Sequence, residues 1–122
     1  MAYKIITTPY SEQDLDAILR YMVEELHAPL AAADFADAVD ACYVRLSEMP
    51  TLYGLCRNPR LASQGFRRAV IKHYVLIYAI DERKKAVLIH RFFYGSQEYE
   101  KYLLTTEAAW GLPFLLARRS CL

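Results

Sequence analysis

The sequence predicts an α+β domain in which an N-terminal strand and an antiparallel helix hairpin pack on a mainly antiparallel four-stranded sheet, followed by a short C-terminal helix. Two stretches in the first half repeat apolar residues at helical spacing, separated by a proline. Three β-prone runs follow in the second half, joined by links too short for anything but antiparallel pairing.

Residues 2–8 are short, apolar and β-prone, and Pro9 stops them, so they read as the opening strand. Ser11 reads as a helix N-cap, with Asp14 three residues on. Leu15, Ile18, Leu19, Met22, Val23 and Leu26 then share one helical face. Pro29 marks a break, and Phe35, Val39, Cys42, Leu46 and Met49 repeat along a second helix with Ala32 and Ala38 beside them. The short connection favours an antiparallel hairpin. Pro50 ends the second helix, and residues 50–66, with Pro50, Gly54, Pro59 and Gly65, read as one long loop. Strands are expected over 66–72, 73–80 and 86–94, the last two joined by the polar turn Asp81-Glu82-Arg83-Lys84-Lys85, and a last helical piece from Gly95-Ser96 through Leu104. The two helices are the partner large enough to cover one sheet face. The other face, with the long loop beside it, is expected to form a concave basic surface.

The 122 residues suit one domain with one core, and 55% apolar content supplies that core. No apolar run is long enough to span a bilayer, and the N-terminus lacks the apolar stretch and cleavage site of a secretory signal, so a cytoplasmic protein is expected. Cys42, Cys56 and Cys121 are odd in number and form no C-x-x-C pair, and His27, His73 and His90 lie far apart. No disulfide framework, metal or cofactor is expected from such spacing. The net charge of +1 hides a division: residues 1–50 carry nine acidic and three basic groups, the remainder five acidic and twelve basic. An acidic and a basic face on one small body follow, the latter suited to RNA, DNA or an acidic protein. The basic half is also rich in tyrosine, whose rings stack on bases.

Order and residues together resemble the RelE/ParE toxins of bacterial type II toxin–antitoxin systems. The likeness runs over about residues 3–104. It rests on Ser11-Glu12-Gln13-Asp14-Leu15 with Ile18 and Tyr21, on Leu46-Ser47-Glu48-Met49-Pro50, and on Gly65-Phe66-Arg67-Arg68. It continues with Tyr74-Val75-Leu76-Ile77-Tyr78 and the ending Arg91-Phe92-Phe93-Tyr94-Gly95-Ser96-Gln97-Glu98-Tyr99. Residues 1–104 are thus expected to form the toxin domain. Residues 105–122, with the apolar run Trp110-Gly111-Leu112-Pro113-Phe114-Leu115-Leu116-Ala117, are an extension without a counterpart.

The resemblance implies a growth inhibitor silenced by a cognate antitoxin, with one of two targets. RelE-like relatives cut mRNA on the ribosome without a metal, and ParE-like relatives poison DNA gyrase by binding. A toxin-like protein-binding module without toxicity is the alternative. RNA-cutting relatives keep an Arg in the middle strand where this chain has Val75, and basic groups after the last strand where it has Ser96 and Gln97. Cleavage needs a proton acceptor, a proton donor and a cation around one phosphate. The candidates are Arg67 or Arg68 as a phosphate clamp, Tyr94 to stack on a base or share a proton, Glu98 as a weak base, and Arg91. His90 and Arg91 are expected on alternate faces. Structural readings stand beside these: Tyr94 as a half-buried sheet residue, Glu98 as a helix cap, and Arg67 with Arg68 as a sheet-edge pair bridging to the acidic helices.

Overall fold

The computed structural model describes residues 2–95, and the α+β architecture is as expected. The chain runs β1 (Lys4–Thr7), α1 (Pro9–Glu24), α2 (Pro29–Glu48), α3 (Pro59–Ser63), β2 (Arg67–Ile71), β3 (Tyr74–Asp81) and β4 (Ala86–Tyr94). The expected closing helix, the 105–122 extension and Glu98 lie outside the described residues. The sheet order is β1-β4-β3-β2, with β1 parallel to β4 and the other pairs antiparallel. Among the described residues no helix is long and apolar enough to cross a membrane.

Helix α1 starts earlier than the sequence reading placed it. Thr8, not Ser11, is the N-cap: its hydroxyl accepts the Ser11 N–H at 3.1 Å, and the Ser11 hydroxyl accepts the Thr8 N–H at 3.1 Å. Pro9 lacks an N–H and has its φ preset, so it fits the first helical position and draws the start upstream. The Thr8 hydroxyl also donates to the His90 carbonyl at 2.9 Å, and its N–H to the Ile89 carbonyl at 3.1 Å. One residue thus caps the helix and stitches it to β4. Leu15, Ile18, Leu19 and Met22 pack partly buried against the core, whereas Val23 and Leu26 remain exposed. Pro29 opens α2, which buries Ala32, Phe35, Val39, Cys42 and Leu46, the expected stripe without Met49.

The sheet face under the helices buries Ala69 and Ile71 of β2, Tyr74, Leu76 and Tyr78 of β3, and Val87, Ile89 and Phe92 of β4. Each such aliphatic side chain contributes roughly 1.5–3 kcal/mol. The Tyr78 hydroxyl donates to the Pro50 carbonyl at 3.0 Å, anchoring the chain as it leaves α2. Burial pushes the Tyr78 phenol far above its ordinary range.

The opposite face corrects an expectation. The 50–66 segment does not lie beside this face but folds over it. Asn58 caps α3 by accepting the N–H groups of Arg60 at 2.9 Å and Leu61 at 3.3 Å, with Pro59 in the first turn. Leu61, Cys56 and Phe66 then bury Val75 and Ile77, with Phe93 alongside. The segment also pairs with the edge of β2: Arg68 N–H donates to Gly54 at 3.1 Å and Cys56 N–H to Phe66 at 3.0 Å. Gly65, at φ +87, supplies the reversal that brings the chain back into β2.

Candidate functional site

Arg67 and Arg68 are neighbours on a strand and therefore point to opposite faces. Arg67 lies on the helix side, where its Nη1 donates to the Tyr53 carbonyl at 2.7 Å. It braces the loop leaving α2. Arg68 faces the other way, and its Nε is buried with no hydrogen-bond partner among the described residues. The alternative that both pair with the acidic helices gains no ion pair among the described residues.

Arg91 is held elsewhere. Strand β1 ends at Thr7, opposite Ile89, so among the described residues the outer edge of β4 beyond that point has no strand to pair with. Helix α1 lies along it instead. Asp14 accepts the Phe92 N–H at 3.1 Å and the Arg91 guanidinium at 2.6 Å from Nε and 3.0 Å from Nη2. Both side chains are largely buried, at 15% and 18% exposure. The guanidinium also lies over the rings of Tyr10 at 5.2 Å and Phe93 at 5.6 Å. This is a structural clasp, and Asp14 can form it because Thr8 has taken the capping role.

His90 is the extra residue of a bulge: Ile77 pairs with Arg91 while Tyr78 pairs with Ile89. The expected alternation of His90 and Arg91 fails for this reason. His90 is 1% exposed and lies edge-on to Phe66 at 5.4 Å, within the covered face.

Arg68 and Tyr94 border one region of the surface from opposite faces of the sheet: Tyr94 stands opposite Tyr74 on the helix side, and Arg68 opposite Ile77 on the other. Both line a concavity of about 350 Å³ at the open end of β2, β3 and β4. Val70 and Val75 line one side, and the turn Lys72-His73 with Tyr74 and Gly95 completes it. Lys72 adopts φ +56, a left-handed conformation uncommon for a side-chain-bearing residue, and Gly95 N–H donates to the His73 carbonyl at 2.9 Å. That bond ties the turn to the end of β4. Tyr94 is 70% exposed, opposite Tyr74 in the register, and their rings meet edge to face at 5.3 Å. Burial, and then the neighbouring Tyr94 and Tyr21, raise the Tyr74 phenol above its ordinary value.

Lys72 and His73 were missed in the sequence reading, which assigned them to strand ends. The available signal was two polar residues between two apolar runs, the pattern of a tight hairpin. Among the described residues the lining carries cations and no carboxylate. Val75, which the resemblance sets at the Arg position of RNA-cutting relatives, is 1% exposed and packed in the second apolar cluster. Among the described residues no group of three His, Cys, Asp or Glu side chains is placed to hold a metal ion.

Comparison with known proteins agrees with this architecture. Residues 5–99 match the family described as the ParE toxin of the type II toxin–antitoxin system, parDE. No curated protein matches the chain in sequence. Among solved structures, the toxin–antitoxin complex RelBE2 from Mycobacterium tuberculosis matches with a TM-score of 0.56 at 22% identity, covering 77% of this chain and 99% of that one. The chromosomal ParDE toxin–antitoxin system from P. aeruginosa matches with a TM-score of 0.61 at 18% identity, covering 78% and 98%. At such identities the two structures speak for the fold, while the family match spans most of the sequence. The chain is accordingly a member of the ParE toxin family, within the RelE/ParE superfamily of type II toxin–antitoxin systems.

Proposed function

We propose that this toxin arrests bacterial growth in the cytoplasm by binding DNA gyrase rather than by cutting mRNA, and that a cognate antitoxin silences it. Residues 1–104 carry the activity, and 105–122 are an extension. The observation that carries this reading is the burial of Val75. The middle strand offers an aliphatic side chain at 1% exposure where cleavage would need a cation on the phosphate. The clasp points the same way, since Asp14 holds Arg91 away from the concavity.

A second reading has one observation in its favour: His73 shares the concavity with Arg68 and Lys72. A histidine beside two cations can move a proton at a ribose 2′-hydroxyl. Induced expression separates the two. Under the gyrase reading, labelled-thymidine incorporation falls first and a DNA-damage reporter rises while labelled-methionine incorporation continues. An early stop in protein synthesis with cut mRNA, lost on His73→Gln, would replace it with the second reading.

A further inference from the structure

We propose that the outer edge of β2 at Val70 takes up an acidic, extended segment of a partner protein as an added strand. The proposal stands on the backbone of that edge and does not depend on which target the toxin poisons. The Arg68 N–H is turned away from β3, since it donates to the Gly54 carbonyl at 3.1 Å. In an antiparallel ladder the outward groups recur at every second residue, so Val70 also presents its N–H and carbonyl to the outer side. The segment from Gly54 to Cys56 covers the first part of this edge, where it meets Phe66, Arg67 and Arg68. Among the described residues no loop or neighbouring segment bonds to the Val70 backbone. The ladder therefore stops at Arg68 on its outer side, while β2 itself continues to Ile71.

The side chains along the edge say what fits there. Charge on an edge strand can serve merely to blunt it against aggregation. Here, however, Val70 stands 56% exposed between Arg68 and Lys72, and all three line the concavity. The buried Arg68 Nε has no hydrogen-bond partner among the described residues, and buried donors of that kind ordinarily have one. A strand laid antiparallel against Val70 exchanges two backbone bonds with it, as peptides do when they extend a sheet. Its residues two positions to either side then stand by Arg68 and Lys72, where carboxylates make opposite-charge pairs. The same rule disfavours a second copy of this chain. Twofold pairing centred on Val70 sets Arg68 of each copy against Lys72 of the other, and like charges across strands repel. A nucleic-acid strand would meet the cations but offers no alternating N–H and carbonyl groups to continue the ladder. An acidic peptide satisfies both the backbone and the charge.

The test is amide-resolved NMR and hydrogen exchange on the full chain. The probe is a capped peptide in which threonine alternates with glutamate, valine and glutamate. At millimolar peptide the Val70 and Lys72 signals are expected to shift saturably, and exchange of the Val70 amide to slow about tenfold as its outward N–H finds an acceptor. Methylating the nitrogen of the peptide's valine removes a backbone donor and leaves every charge in place. It should weaken binding about tenfold or more. Replacing both glutamates by lysine should abolish binding. Lys72→Asn, which keeps a residue tolerant of positive φ in the turn, should weaken the peptide about two- to fivefold, and Arg68→Gln likewise. Binding that survives the methylation would overturn the proposal, because charge alone would then explain it. So would a Val70 amide that is already slow without peptide, whether a second copy or the chain's own residues 105–122 cover it. Tighter occupancy of the same amides by a single-stranded oligonucleotide, or no shift at all, would overturn it too. Methylation of the peptide leaves the protein untouched, so a variant that fails to fold does not decide the outcome.

Discussion

Replacing Asp14 by Ala should be among the most damaging single changes on helix α1. The carboxylate accepts three hydrogen bonds, two from Arg91 and one from the Phe92 N–H on the edge of β4 beyond β1. Removing one partner of a buried pair costs about 3–5 kcal/mol, because the remaining charge stays buried. Residual exposure of 15% and 18% lets water in part replace the lost oxygens. We therefore expect a loss of about 2–3 kcal/mol, at or below the low end of the buried range. For a domain of this size that is a drop in Tm on the order of 10–20 °C. Asp14→Asn keeps one acceptor oxygen and should lose about half as much. Pairing it with Arg91→Gln, which removes the buried charge, should recover part of that loss. Urea denaturation at low and high salt is the assay, and the loss should change little with salt, since the pair is shielded from the ionic atmosphere. A loss under about 0.5 kcal/mol, the ordinary size of a surface change, would refute the clasp.

Three further outcomes follow from the same geometry. Val75→Arg forces a guanidinium into an apolar cluster, so it should cost about 3 kcal/mol or more in chemical denaturation and give no RNA cleavage. A stable variant that cuts mRNA would contradict the burial argument. Arg67→Ala should cost about 1–2 kcal/mol by removing the bond to the Tyr53 carbonyl, while Arg68→Ala should leave the thermal midpoint nearly unchanged, so equal losses would contradict their placement on opposite faces. In a spectrophotometric alkaline titration, Tyr43 should ionise late, since burial pushes it up to about 12, and Tyr78 later still. Both raised values favour the protonated fold, so stability should be intact below about pH 10 and fall as pH rises from there through the raised values. Titration of every tyrosine near the ordinary value in the folded chain would contradict it.

The helices and strands were legible because each rests on a local pattern. Phe35, Val39, Cys42 and Leu46 recur at the helical period and are the side chains that α2 buries. The uniformly apolar Val75-Leu76-Ile77-Tyr78 run belongs to an interior strand with both faces covered. What was not legible depends on pairings made across the chain. Asp14 looked like a capping residue because its partners are 77 and 78 positions away. The bulge at His90 exists only in the register between β3 and β4, so simple alternation misplaced it. Helix α3 was hidden inside a Gly- and Pro-rich segment, although Asn58-Pro59 is itself a cap followed by a first-turn proline. The site divides in the same way. Alternation along β2 separates Arg67 from Arg68, but only the register of β3 with β4 sets Tyr94 beside Tyr74 on the helix side, and only the hairpin brings Lys72 and His73 to the concavity that Arg68 borders.

The central claim, that this ParE-family toxin acts by binding gyrase, is tested most directly with purified components. The toxin, with and without its antitoxin, is added to a gyrase supercoiling reaction and, separately, to translating ribosomes with a reporter mRNA. The account predicts that supercoiling stops and cleaved gyrase–DNA complexes accumulate. It also predicts that the antitoxin reverses both effects and that the reporter mRNA stays whole. Unimpaired supercoiling, with the mRNA cut on the ribosome, would contradict it.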